Sequence, residues 1–156
     1  MTSPATSRKD IMSTDSSASP DSTAAPRGIR VFNALVGVTT LGILLQAITA
    51  GEFVSQRGRG AWIAVHDIIA NATIVAAIVV AVIGLVLVRA TDRALAWSSV
   101  TLAVLLVGQT VIGHLITDAH ADAWIGVHVP LAFVIVALAV WLAIRGAGVR
   151  RRAARA

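Results

Sequence analysis

Two histidines stand at the same place in a repeated hexapeptide. Ala61-Trp62-Ile63-Ala64-Val65-His66 returns as Ala123-Trp124-Ile125-Gly126-Val127-His128, with five of the six residues identical. Imidazole nitrogens ligate metals, carry protons and hydrogen-bond between helices. Each copy opens a long apolar run, and each histidine falls four residues after a tryptophan, about 6 Å further along a helix. Two imidazoles at equal depth on two equivalent helices are what a metal held between helices needs. Further polar residues share the pattern. Gln46 precedes His66 by 20 residues and Gln109 precedes His128 by 19. Gly51-Glu52 and Gly113-His114 end the comparison. His114 lies four residues before Asp118, and His120 lies between Asp118 and Asp122.

The elements that must carry these residues are membrane helices. The chain is 56% hydrophobic and 13% charged, with a mean hydropathy of +0.81, a balance that belongs to an integral membrane protein. Four apolar segments, about 31–51, 61–88, 94–117 and 123–144, are each long enough to cross a hydrocarbon core. Their continuous hydrophobicity does not alternate as barrel strands do, and an open sheet would leave backbone groups unpaired in lipid. The expected fold is therefore an all-α integral membrane protein, a four-transmembrane-helix bundle built from two similar αα-hairpins. The hairpins run in the same direction, so their symmetry axis lies along the membrane normal and carries His66 onto His128.

Residues 1–28, rich in Ser, Thr, Ala, Pro and Asp, read as a disordered cytoplasmic tail. Residues 29–146 form the membrane domain and residues 147–156 a basic cytoplasmic tail. Eleven of the thirteen basic residues flank the segment ends on the side of the termini, and only Arg57 and Arg59 fall on the other side. The positive-inside rule then puts both termini in the cytoplasm of a multi-pass protein of the inner membrane. It also accounts for the net charge of +5 without nucleic acid as a partner. No cysteine is present, which excludes disulfides, zinc thiolates, iron–sulfur clusters and covalently attached haem.

Haem b is the cofactor that best uses two symmetric imidazoles inside a dry bundle. Its iron takes one imidazole on each face, and its flat apolar ring fits between helices. His66 and His128 are the expected axial ligands. Arg57 and Arg59 can pair with the propionates, and Gln46 and Gln109 can orient an imidazole or hold a bridging water. His114 is a candidate alternative ligand, second donor or proton carrier. Asp67 needs a partner, with the loop arginines nearest in sequence, and Glu52 beside His114 could form a proton relay. Asn71 and Thr73 read as helix-to-helix hydrogen bonds, His120 as a solvated loop residue, and Gly37, Gly42, Gly84, Gly108 and Gly113 as positions that permit close packing.

The pattern resembles one four-helix half of the haem A synthase family, whose halves carry a histidine near the outer end of the second and fourth helices. His66 and His128 match those positions, and the resemblance covers about residues 31–144. It also resembles short four-helix membrane proteins of unknown function with a Gln-x-x-x-Ala-Gly end to the first helix, here Gln46-Ala47-Ile48-Thr49-Ala50-Gly51. The resemblance implies a b-type haem or a haem substrate. Haem A synthases have an acid three residues before the histidine of the second helix, where this chain has Ile63, and many have a cysteine pair that is lacking here. The ligand positions therefore carry over and the oxidation of farnesyl-haem does not.

The resulting expectation is a b-type haem-binding protein in electron transfer or haem handling. Its expected partners are the lipid bilayer, a quinone or extracytoplasmic redox protein, and a second copy of the chain to complete two halves. Two other readings compete. One is a cofactor-free membrane subunit or assembly factor whose histidines join helices. The other is a small proton-coupled carrier using Glu52, Asp67 and His114.

Overall fold

The computed structural model describes residues 27–55 and 59–155. Four helices follow one another: α1 (Arg27–Ser55), α2 (Arg59–Ile83), α3 (Arg93–Thr117) and α4 (Ile125–Ala153). A π-helical turn, Gly84–Val88, prolongs α2, and a 3₁₀ turn, Asp122–Trp124, leads into α4. No strand occurs among the described residues. Each helix is long and apolar enough to cross a membrane.

The chain goes up, down, up and down. α1 packs on α2 and α4, and α3 packs on α2 and α4, so α1 faces α3 and α2 faces α4 across the bundle. This alternation gathers the arginines at 27, 30, 89, 93, 145 and 150–152 at one end, called the basic end. His66, His114, His120 and His128 gather at the other, the histidine end.

Buried positions recur every three or four residues, as a helix seam demands. They are Ile29, Phe32, Val36, Thr39 and Ile43 on α1, and Thr73, Ala77 and Val80 on α2. On α3 they are Leu95, Ser99, Leu102 and Leu106, and on α4 Ile135, Ala139, Leu142 and Val149. All of these lie in the part of the bundle nearer the basic end. Close approach depends on glycines such as Gly42, Gly84 and Gly146. A methyl group on Gly84 would stand 2.6 Å from Ser99 Oγ, 3.2 Å from Phe32 Cε2 and 3.3 Å from Ala96 Cα, so α1, α2 and α3 meet only because that side chain is absent. On Gly146 it would run into Asn33 Oδ1. Asn33 instead donates to the Gly146 carbonyl at 2.9 Å and ties α1 to α4.

The same end carries an ion pair. Asp92 caps α3 by accepting from the Leu95 amide at 3.1 Å. Arg145 reaches it from α4, with Nε 2.9 Å from Oδ2 and an Nη 3.2 Å from Oδ1, while its guanidinium lies 5.3 Å from the centre of the Trp141 ring. Burial raises the Asp92 carboxyl, but the Arg145 and Leu95 hydrogen bonds and the guanidinium charge outweigh it and hold the group below its usual value.

The structure adds detail to the sequence reading. Helix α4 runs on to Ala153, through the first seven residues of the expected basic tail. Val149 is buried against the bundle, and Arg150, Arg151 and Arg152 occupy the last turn, where cations favour the negative end of the helix dipole. Asn71 and Thr73 do not join helices. Asn71 donates to the Asp67 carbonyl and Thr73 to the Ile69 carbonyl, both one turn back on α2. A short polar side chain inside an apolar helix satisfies itself on the nearest carbonyl. Of the packing glycines, Gly42 and Gly84 sit against neighbouring helices, whereas Gly37 and Gly108 face open space.

Candidate functional site

Toward the histidine end the buried seam stops. Beyond Ile43 on α1, before Thr73 on α2, beyond Leu106 on α3 and before Ile135 on α4, the one buried side chain among the described residues is Thr49. Apolar side chains are plentiful there but turned outward. Ile48 is 60% exposed, Ile68 69% and Phe133 72%. The interior of this end is bordered by polar groups, and His66 and His128 are both half-buried in it.

The two histidines stand on α2 and α4, the helices that face each other across the bundle, within electrostatic reach of one another. Each belongs to a similar set of contacts. Gln46 Nε2 on α1 donates to the His66 carbonyl at 2.6 Å, and Gln109 Nε2 on α3 donates to the His128 carbonyl at 2.9 Å. The glutamines thus grip the backbone of the histidine residues. The expected contact from glutamine amide to imidazole does not form, because the amide meets the neighbouring helix at its carbonyl first. Each ring also lies near the backbone carbonyl of the same glutamine.

The rings themselves differ. His66 Nδ1 lies 2.9 Å from Thr49 Oγ1, a hydroxyl also 3.0 Å from the Leu45 carbonyl and 3.1 Å from the Gln46 carbonyl. His128 Nδ1 is buried with no hydrogen-bond partner, as is Gln109 Oε1. The His128 ring leans on α3, where a methyl group at Gly113 would stand 3.5 Å from its Cε1. Thr49 was not singled out in the sequence. Its position one turn after Gln46, on the helix that pairs with α2, is the signal that could have found it.

The remaining candidates lie apart from this pair. His114 is on the outer surface of the α2–α3 seam, 45% exposed, with Nδ1 donating to the Thr110 carbonyl at 2.9 Å. Its Nε2 is 3.7 Å from Asp67 Oδ1, so the partner of Asp67 is a histidine on the adjacent helix. Arg57 lies outside the described residues, and of Arg59 only the backbone, which opens α2, is described. His120 turns the loop before α4 with a left-handed φ of 52° and is exposed, as the solvated-loop reading expects.

Among the described residues no three His, Cys, Asp or Glu side chains gather as a metal-ion site. Two imidazoles are too few to hold a bare ion but suffice for a metal that brings most of its own ligands. The orphaned His128 Nδ1 and Gln109 Oε1, and the scarcity of buried side chains around them, also fit a bulky group with polar contacts at this end.

These features define a class: an all-helical bundle of four helices, each able to cross a membrane, with two inward imidazoles on facing helices at one end. No family model matches the chain, and no curated protein or solved structure matches it.

Proposed function

We propose that the histidine end binds a b-type haem between His66 and His128, and that the protein acts in electron transfer or haem handling in a membrane. The observation that carries this reading is the pairing of two half-buried imidazoles on facing helices with an end of the bundle where few side chains are buried. In a close-packed interior such an end is unusual unless something else completes it. The repeated glutamine-to-carbonyl bond supports reading the bundle as two similar hairpins, with His66 and His128 as equivalent positions. The likeness of these positions to one half of haem A synthases agrees with the same reading.

When bound, the haem would supply one-electron chemistry. The chain's own part is to present one imidazole from α2 and one from α4, to fix the backbone beneath each with a glutamine, and to surround the ring with apolar helices. Arg57 and Arg59, just before and at the start of α2 in the sequence, would meet the propionates. A quinone or an extracytoplasmic protein would exchange electrons at this end, and a second copy of the chain would complete the two-half plan. The basic end would face the cytoplasm with both termini, in the inner membrane.

A visible spectrum of the purified protein after haem supplementation tests this. A Soret band lost on His66→Ala combined with His128→Ala is expected, and a featureless spectrum from the wild-type protein contradicts it. A second reading draws on the glutamine bonds, which join helices whether or not a cofactor is present. In it the protein is a cofactor-free membrane subunit, and the same double variant would change only its stability.

A further inference from the structure

The two imidazoles are equivalent in position and unequal in support. We propose that Thr49 is a positioning residue that fixes His66 as the permanent ligand, and that His128 is the exchangeable one; this rests on the haem reading above. The argument begins with the threonine proton. Thr49 Oγ1 stands 3.0 Å from the Leu45 carbonyl and 3.1 Å from the Gln46 carbonyl, both strong acceptors that cannot donate. A helical threonine commonly spends its single proton on such a carbonyl. Its oxygen then has only lone pairs to offer at 2.9 Å to His66 Nδ1, so the ring must donate there. A proton on Nδ1 leaves the lone pair on Nε2, the nitrogen that a metal then takes. A hydrogen bond at the other nitrogen orients a ligating histidine and raises its basicity.

His128 has no such support. The residue that corresponds to Thr49, three positions after the helix glutamine, is Ile112. Counting back by the histidine spacing instead gives Val111, which is also apolar. Accordingly His128 Nδ1 has no hydrogen-bond partner, and neither has Gln109 Oε1. No hydroxyl on α3 meets its Nδ1; the ring lies near the Gln109 carbonyl and borders Gly113, where a methyl group would stand 3.5 Å from its Cε1. An imidazole without that hydroxyl would yield a metal position to a small neutral diatomic ligand such as carbon monoxide more readily than one that has it.

Two measurements on the full chain test this. The first is ¹⁵N NMR of histidine-labelled protein without haem, which reads the tautomer directly. His66 is expected to carry its proton on Nδ1. Thr49→Val should release that preference, Thr49→Ser should keep it, and Ile112→Thr should confer it on His128. A proton on His66 Nε2, or a His66 spectrum unmoved by Thr49→Val in a protein of unchanged helicity, overturns the role of Thr49. The second measurement is titration with haem b. His66→Ala is expected to weaken binding about a hundredfold or more, and Thr49→Val about tenfold, the range that loss of such a supporting contact produces. His128→Ala should stay within about tenfold of wild type and bind carbon monoxide when reduced. Equal losses in the two histidine variants overturn the inequality while leaving the haem reading intact. Failure of the wild-type protein to take up haem overturns the haem reading and the ligand roles together, and the NMR result then still decides the hydroxyl.

Discussion

The basic end and the histidine end are built from the same four helices and the same kinds of residue, yet the buried side chains concentrate at only one of them. At the basic end a three-four spacing of Phe, Leu, Val and Ile meets glycines that let the helices close, and polar groups tie helix to helix: Asp92 has Arg145 and the Gly146 carbonyl has Asn33, although Asn33 Oδ1 itself is buried without a partner. At the histidine end the apolar side chains face outward, and inward-facing polar atoms of His128 and Gln109 have no partner. On the proposed reading, the difference would separate the task of holding the bundle together from the task of binding. The buried side chains that hold the helices together concentrate where the seam is continuous.

Substitution tests of this contrast can be ranked by expected size. Leu102 is fully buried in the seam, so Leu102→Ala should cost about 2–4 kcal/mol through the cavity it leaves. Phe133→Ala at the histidine end removes a larger side chain that is 72% exposed, and should cost well under half of that. Thermal unfolding of both variants in the same detergent measures the gap; equal losses would abolish the distinction between the ends.

Next in size is Asp92→Ala, which removes the α3 cap and the partner of Arg145 and should cost about 1–2 kcal/mol. Because the folded carboxyl titrates below its usual 3.8, its contribution is present above that pH and is lost as pH falls through the folded value. The wild-type protein should therefore lose stability more steeply than Asp92→Ala below about pH 4. Parallel acid profiles of the two proteins would refute the assignment.

Much of the fold was legible in the sequence because apolar length is a strong signal. All four helices fall where the hydrophobic segments run, and their ends shift by a few residues, most at α4, where arginines extend the helix after the hydropathy has ended. The internal tyings were less legible. The hexapeptide and glutamine spacings located the histidines and their helix partners. Spacing alone does not tell whether an amide meets a ring or a carbonyl. Thr49 and Asn33 were hidden because a single polar residue in an apolar run looks alike whether it bonds its own helix or its neighbour. Asp92 and Arg145, 53 residues apart, meet only once α4 has folded back on α3.

The smallest expected effect belongs to the Asp67–His114 pair. Both side chains are about half exposed at the surface of the α2–α3 seam. Asp67→Asn should change stability by about 0.5 kcal/mol or less and leave haem affinity unaltered. A titration in which Asp67→Asn abolished haem binding would move the site from the bundle interior to that seam.

The most direct test of the central claim is electron paramagnetic resonance of the oxidised, haem-supplemented protein. A low-spin ferric signal of two imidazole ligands is expected, converting to high spin in His128→Ala and disappearing with the haem in His66→Ala. A low-spin signal that survives both substitutions would contradict ligation by His66 and His128.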